Sequence, residues 1–310
     1  MGVCNMNLLE YYKKKLGFDE RPDFLDEYIN IPAMKRLKDV GYFCGMDYAS
    51  KNIYSFKEYI SRYDHSLTTA LMTWLCTGDK VQTLAALYHD IGTPCFSHTI
   101  DYLNNDYQKQ ESTEEYNEKI LRKDRKLKKL LKKDHIDIED VINFKKYSIV
   151  DIERPKLCAD RIDGIILTGI SWTKGVLKPN IDILLNNMTI YQNEDKRPEI
   201  GFSNRFAAFM AVCINSDIDE LCQSKEDFYM MDLLASIVKK AIERGHISYD
   251  ELYIRNETDL MNKLKNIKDE DITKNINDFE NIKKEEIPKI KMPKVKKRTI
   301  RPLVDYKRMI

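Results

Sequence analysis

The sequence has no C-x-x-C spacing, no internal repeat, no signal-peptide-like apolar block at its start, and no apolar run near the ~20 residues that cross a bilayer. Its seven cysteines, at positions 4, 44, 76, 95, 158, 213 and 222, are odd in number and several fall in apolar helical patterns. That speaks against a disulfide framework and a thiolate zinc site; reduced, buried thiols, a cytoplasmic compartment and no membrane contact are the expectation. Charge of one sign is missing as well. With 51 Lys+Arg against 50 Asp+Glu the net charge is +1, so no global field directs the chain to nucleic acid or a membrane surface. Strand-like alternation is confined to Met188-Thr-Ile-Tyr-Gln192 and Glu199-Ile-Gly-Phe202, which read as one small hairpin. The expected fold class is therefore mainly α, and 43% hydrophobic residues are enough for a core. Histidine is scarce, with five in the chain, yet His65, His89 and His98 fall in two short segments.

Composition divides the chain into an N-terminal helical extension (1–30), a main helical body (31–245) with a charged helical insertion at 107–150, and a C-terminal helical region with a basic tail (246–310). Within the body, helices are expected from Pro32, over Lys80 to Asp90, and from Ser97 to Leu103. Ser112 and Glu115 fit a capping box for a long charged helix ending at Lys133, whose lysines solvate the face opposite Leu127, Leu130 and Leu131. Asn204 to Leu221 and Lys225 to Arg244 read as two long helices, with Ser224 as N-cap and Gly245 as C-cap, and Asp250 to Glu280 as a more polar helix. From Pro288 the tail alternates Lys and Arg with Ile, Val and Leu, and its prolines exclude a helix. An extended segment packed on a neighbour is favoured over a loose arm that meets nucleic acid.

The densest information lies from Leu84 to His98. An apolar helical run delivers His89 and Asp90 side by side, and Gly92 and Pro94 break the helix just beyond them. Upstream, Arg62-Tyr-Asp-His65-Ser-Leu opens a helix; downstream, Leu157-Cys-Ala-Asp160-Arg161-Ile-Asp163 is helical in pattern. Singly, a core histidine, a helix-terminal aspartate or a surface salt-bridge ladder explains each segment. Taken in order, as His, His-Asp and Asp on separate helices, they point to a metal.

This ordered set resembles the HD-domain metal-dependent phosphohydrolases, and within them the deoxynucleoside triphosphate triphosphohydrolase branch. Arg62-Tyr-Asp-His65-Ser-Leu, the Gly and Pro after the His-Asp pair, Phe96-Ser-His98 and Ile31-Pro-Ala-Met-Lys-Arg36-Leu37 carry the likeness, over roughly residues 30 to 170. The resemblance implies an HD-domain helical bundle, with the small β-hairpin and the extended basic C-terminal tail added to it. It implies that His65, His89, Asp90 and Asp160 ligate a divalent metal. Two imidazoles and two carboxylates suit Mn, Fe, Co, Ni, Mg or a higher-coordinate Zn, and such an ion serves phosphate ester cleavage. Arg62 and Arg161 are the cations expected to meet substrate phosphate. Where the family has helper histidines this chain has Thr93 and Thr113, so the proton donor is sought among His98, Asp101, Glu111 and Glu114. Gly164 and Thr168 stand where family members contact base and sugar.

The first reading is a metal-dependent phosphohydrolase acting on a nucleotide or another phosphorylated small molecule, triphosphohydrolase-like. A phosphomonoesterase or phosphodiesterase with the same metal site, and a catalytically weak nucleotide-binding regulatory protein, stay open beside it. The tail and the family likeness lead to an expectation of a homo-oligomer.

Overall fold

Ser61 starts the helix around which the others pack. Its hydroxyl accepts the Asp64 N–H at 3.1 Å and the Asp64 carboxylate accepts the Ser61 N–H at 2.9 Å, a reciprocal cap. The helix runs Arg62–Thr77 and ends at Gly78, whose φ of 60° suits a residue without Cβ. From His65 to Thr73 every residue is buried, which costs polar side chains free energy unless they are paired; Ser66 Oγ has no hydrogen-bond partner among the described residues. The hydroxyls of Thr68, Thr73 and Thr77 donate to the carbonyls of Asp64, Thr69 and Thr73.

In this computed structural model, which describes residues 6–104, 116–173, 175–293 and 297–309, the Arg62–Thr77 helix packs on Lys80–Tyr88 and on Ala159–Ser171. Ala159–Ser171 in turn packs on Arg205–Cys222, and Lys225–Glu243 packs on Thr99–Leu103 and Glu270–Asn281. The fold is mainly α, as expected. No helix among the described residues is long and apolar enough to cross a membrane. All cysteines among them are free thiols; Cys95 and Cys158 are buried as expected, Cys44, Cys76 and Cys222 are only partly buried, and Cys213 is exposed.

Several helices are shorter than their sequence patterns. The Pro32 helix stops at Arg36 and gives way to a 3₁₀ turn over Leu37–Asp39, the described part of the charged insertion breaks at Asp124, and Asp250 to Glu280 splits into Glu251–Ile254, Glu257–Lys265 and Glu270–Asn281. The breaks coincide with capping side chains: Asp124 accepts from the N–H groups of Lys126 and Leu127, and Asp269 from that of Ile272. The Ser112–Glu115 capping box, Glu111, Thr113 and Glu114 lie outside the described residues.

The hairpin gains two strands. β1 (Met188–Gln192) pairs antiparallel with β2 (Pro198–Phe202); β3 (Leu303–Val304) joins β2 in parallel and β4 (Lys307–Arg308) closes the sheet, in the order β1-β2-β3-β4. The basic tail thus packs on its own chain, with Ile300, Leu303 and Val304 buried. Arg308 forms a two-pronged pair with the fully buried Glu199 at 2.8 and 2.9 Å. The alternation that suggested a neighbouring molecule is satisfied within one chain, and it no longer argues for an oligomer.

Candidate metal centre

Three helices bring the predicted ligands together. His65 lies in the first turn of Arg62–Thr77, His89 is the C-cap of Lys80–Tyr88, and Asp160 is in the first turn of Ala159–Ser171. The Asp160 Oδ1 is 3.1 Å from His65 Nε2 and 3.5 Å from His89 Nε2. Both imidazoles are anchored through Nδ1. His65 Nδ1 is 2.7 Å from Oδ2 of the fully buried Asp163, and His89 Nδ1 is 2.7 Å from the Ala86 carbonyl oxygen. A proton held on each Nδ1 turns each Nε2 lone pair toward Asp160. His89 Nε2 is buried without a hydrogen-bond partner among the described residues. A buried nitrogen left so costs ~1–3 kcal/mol, and a cation held there offsets that cost.

Asp90 stands beside this triad, with Oδ1 3.7 Å from His89 Nε2 and Oδ2 3.9 Å from His65 Nε2. Arg62 Nη1 donates to that Oδ2 at 2.9 Å, which leaves Oδ1 for a cation. Burial works against charge on His89, but Asp90 and Asp160 outweigh it and raise its pKa to about 10. Burial also opposes charge on Asp160, yet His65 and His89 hold its carboxyl well below the usual range. Carboxylates that favour a proton on His89 favour a divalent cation in its place. Two nitrogens, Asp160 and the free Asp90 oxygen fit the hard or borderline divalent ions named above. A second grouping, Asp151, Cys158 and Asp160, has a guanidinium beside it already: Arg161 is 3.8 Å from Asp151, and burial pushes the Cys158 thiol up to about 12.

Residues that the sequence did not single out hold the centre in place. Tyr12, from the N-terminal segment, donates to Asp163 Oδ1 at 2.5 Å. Asn117 accepts the Gly92 N–H at 2.6 Å and donates to the His89 carbonyl. A Cβ at Gly92 would stand 2.6 Å from the Asn117 backbone nitrogen, so only glycine lets the two segments approach this closely. Glu257 pins the turn after the His-Asp pair, where Phe96 and Ser97 have φ of 63° and 43°. Its carboxyl accepts the Phe96 N–H at 2.6 Å and the Gly41 N–H at 3.1 Å.

Burial, with Asp47 and Asp39 adding to it, pushes Glu257 up to about 8 despite those two donors. The folded chain therefore keeps a proton that the unfolded chain, with an ordinary value of 4.5, releases between 4.5 and about 8. Its contribution to stability is full below that window and lost as pH rises through it. The melting temperature of the wild type is expected to fall more steeply between about pH 5 and 8.5 than that of Glu257→Gln. Parallel slopes in the two proteins would contradict this.

The remaining predicted site residues divide. Arg62, assigned to phosphate from the sequence, uses three N–H groups on protein: Nη1 on Asp90, Nε on Ser97 Oγ at 3.0 Å, and Nη2 on the Tyr42 carbonyl at 3.3 Å. Its first task is to orient Asp90. Arg161 is tied to the carbonyls of Lys156 and Ile152, with Nε buried and without a hydrogen-bond partner among the described residues. His98 Nδ1 is 2.8 Å from Asp101 Oδ2. Asp101 is fully buried behind it, whereas His98 is part of the wall of the cavity beside Asp160.

That cavity measures about 210 Å³. Asp160, Arg62, Arg161 and His98 contribute part of its wall; Tyr42, Phe43, Phe56 and Trp172 give it an aromatic face, and Arg154, Asn215, Asp227 and Arg298 add polar groups. Gly164 and Thr168 line it too. A Cβ at Gly164 would stand 2.9 Å from the Tyr42 hydroxyl, so Tyr42 fills the space a side chain there would take.

The HD domain family matches residues 62–166, from the first residue of the His65 helix to the middle of the Asp160 helix. Uncharacterized protein YdhJ of Bacillus subtilis (strain 168) is 22% identical over 252 residues, spanning 80% of this chain and 73% of that protein. Three helices that meet at His65, His89 and Asp160 thus lie largely within the segment that matches the HD domain family.

Proposed function

We propose that the chain hydrolyses a phosphorylated small molecule, with a nucleotide as substrate and a triphosphohydrolase-like reaction as the first form to test. The observation that carries this reading is that Asp160, which groups with His65 and His89, lines a cavity that combines arginines with an aromatic face. Phosphate needs fixed cations near the reacting atom, and a nucleobase needs flat apolar surface; both occur in one wall. A divalent ion bound at the centre supplies Lewis acidity toward the phosphoryl oxygen and the attacking water. The protein's own residues do the rest. Asp163 and the Ala86 carbonyl fix the imidazoles, and Arg62 fixes Asp90. Arg161 offers its unpartnered Nε toward anionic oxygen. His98, with Nδ1 held by Asp101, delivers a proton to the leaving oxygen from the opposite ring nitrogen.

Departures from the triphosphohydrolase pattern bear on the substrate. With Gly164 and Thr168 in the wall, sugar contacts made by larger side chains in that branch fall to other groups here, and Tyr42 is the nearest. A panel of nucleoside mono-, di- and triphosphates, run with Mn²⁺ and Mg²⁺ and read for phosphate, pyrophosphate and triphosphate, tests the proposal. Released triphosphate supports the triphosphohydrolase form, and phosphate from monophosphates supports a phosphomonoesterase. Binding without turnover of any member contradicts the hydrolase reading and favours a nucleotide-binding regulator.

A further inference from the structure

The cavity holds more positive charge than the metal centre and the protein's own carboxylates account for. Arg161 has Asp160 next to it in the chain and Asp151 at 3.8 Å. Arg298 faces Asp227, which also accepts from the Tyr54 hydroxyl at 2.7 Å. Arg154 has no such balance. It is half-buried, its guanidinium has no hydrogen bond or ion pair among the described residues, and its Nη1 is enclosed without a partner. Arg154, Arg161 and Arg298 line the same cavity, and burial, then the like charges of the other two, lower the Arg154 pKa to about 10. An enclosed, unpaired guanidinium is costly to keep, and the structure around it is built to keep it.

The approach of Arg298 is set by the tail. Its backbone N–H donates to Asp219 Oδ1 at 2.7 Å, its carbonyl accepts from Asn215 Nδ2 at 2.6 Å, and the Arg301 N–H donates to the Pro155 carbonyl at 2.8 Å. The last bond joins the tail to the residue after Arg154. Burial of the tail against β2 therefore positions one cation and buttresses the segment that carries another.

We infer that Arg154 and Arg298, with Arg161, form a second anion subsite in the cavity, distinct from Arg62, for an anionic group of the ligand additional to the phosphate at the metal centre. The inference rests on the phosphohydrolase reading and narrows it: the ligand carries at least two linked anionic groups, as in a polyphosphate chain, and the C-terminal tail takes part in holding it. Planar guanidiniums suit phosphate oxygens because two N–H groups meet two oxygens at once.

Calorimetric titration of the full chain with inorganic phosphate and with tripolyphosphate, at a fixed excess of Mg²⁺, tests this. Tripolyphosphate is expected to bind at least about tenfold more tightly than phosphate to the wild type. Arg154→Gln should remove most of that ratio while moving the phosphate Kd by less than about twofold, and Arg154→Lys should retain part of it. Lys297→Gln, at an exposed position on the same tail, should leave the ratio unchanged. A wild-type ratio near one would overturn the inference, as would an Arg154→Gln protein with the wild-type melting curve and the wild-type ratio. Because the ratio is read from binding, its failure is separate from failure of the hydrolase reading, which the turnover panel detects.

Discussion

Asp160→Ala is expected to lose bound metal and turnover together. Its Oδ1 is the carboxylate oxygen nearest both imidazole Nε2 atoms among the described residues, at 3.1 and 3.5 Å, with the Asp90 oxygens farther off at 3.9 and 3.7 Å. Removing residues that only orient metal ligands costs ~10–100-fold in metal affinity or activity, so loss of a ligand should cost more than about a hundredfold. His89→Ala should behave alike, because it removes a buried nitrogen that has no hydrogen-bond partner among the described residues. His246, whose nearest carboxylate is Asp269 at 4.0 Å, lies outside the centre, and His246→Ala should keep its metal. Elemental analysis of the purified variants, with circular dichroism to check folding, reads the outcome. A folded Asp160→Ala protein with one equivalent of metal would refute the assignment.

His98→Ala should cut kcat by roughly a hundredfold or more and leave metal content intact, the scale of a lost general acid. The geometry separates His98 from Asp101, which the sequence left as equal candidates. A fully buried carboxylate bonded to an imidazole that lines the cavity can orient the ring but does not itself reach the leaving oxygen. Asp101→Asn should therefore keep part of the activity, because the amide oxygen can still accept from the ring Nδ1–H. If both variants turn over the best substrate at the wild-type rate, the proton comes from water or from Glu111 or Glu114, and the assignment of His98 fails.

The elements that position these residues were legible where a local signal sets them. Ser224 and Gly245 mark helix ends through caps that need only a few neighbouring residues. The His65, His89 and Asp160 grouping was legible because each lies in a short motif and the chain order is informative. What stayed hidden depends on contacts across long separations. Tyr12 meets Asp163 across 151 residues and Glu257 meets Phe96 across 161, and neither Tyr12 nor Glu257 lies in a motif that announces it. Asn117 sits in a stretch whose composition read as a solvated insertion, yet it fixes the turn after Asp90. The tail was read with the right extended backbone and the wrong partner. Its alternation shows that one side is covered, but pairing of Val304 with Phe202 of β2 is a property of the folded chain.

The proposed activity depends on a divalent cation held by His65, His89 and Asp160. Anomalous diffraction from crystals of the chain equilibrated with Mn²⁺, recorded on either side of the manganese absorption edge, tests it most directly. A single strong difference peak is expected between His65 Nε2, His89 Nε2 and Asp160 Oδ1, within reach of Asp90 Oδ1. No peak at that position, or one confined to Asp151 and Cys158, would contradict it.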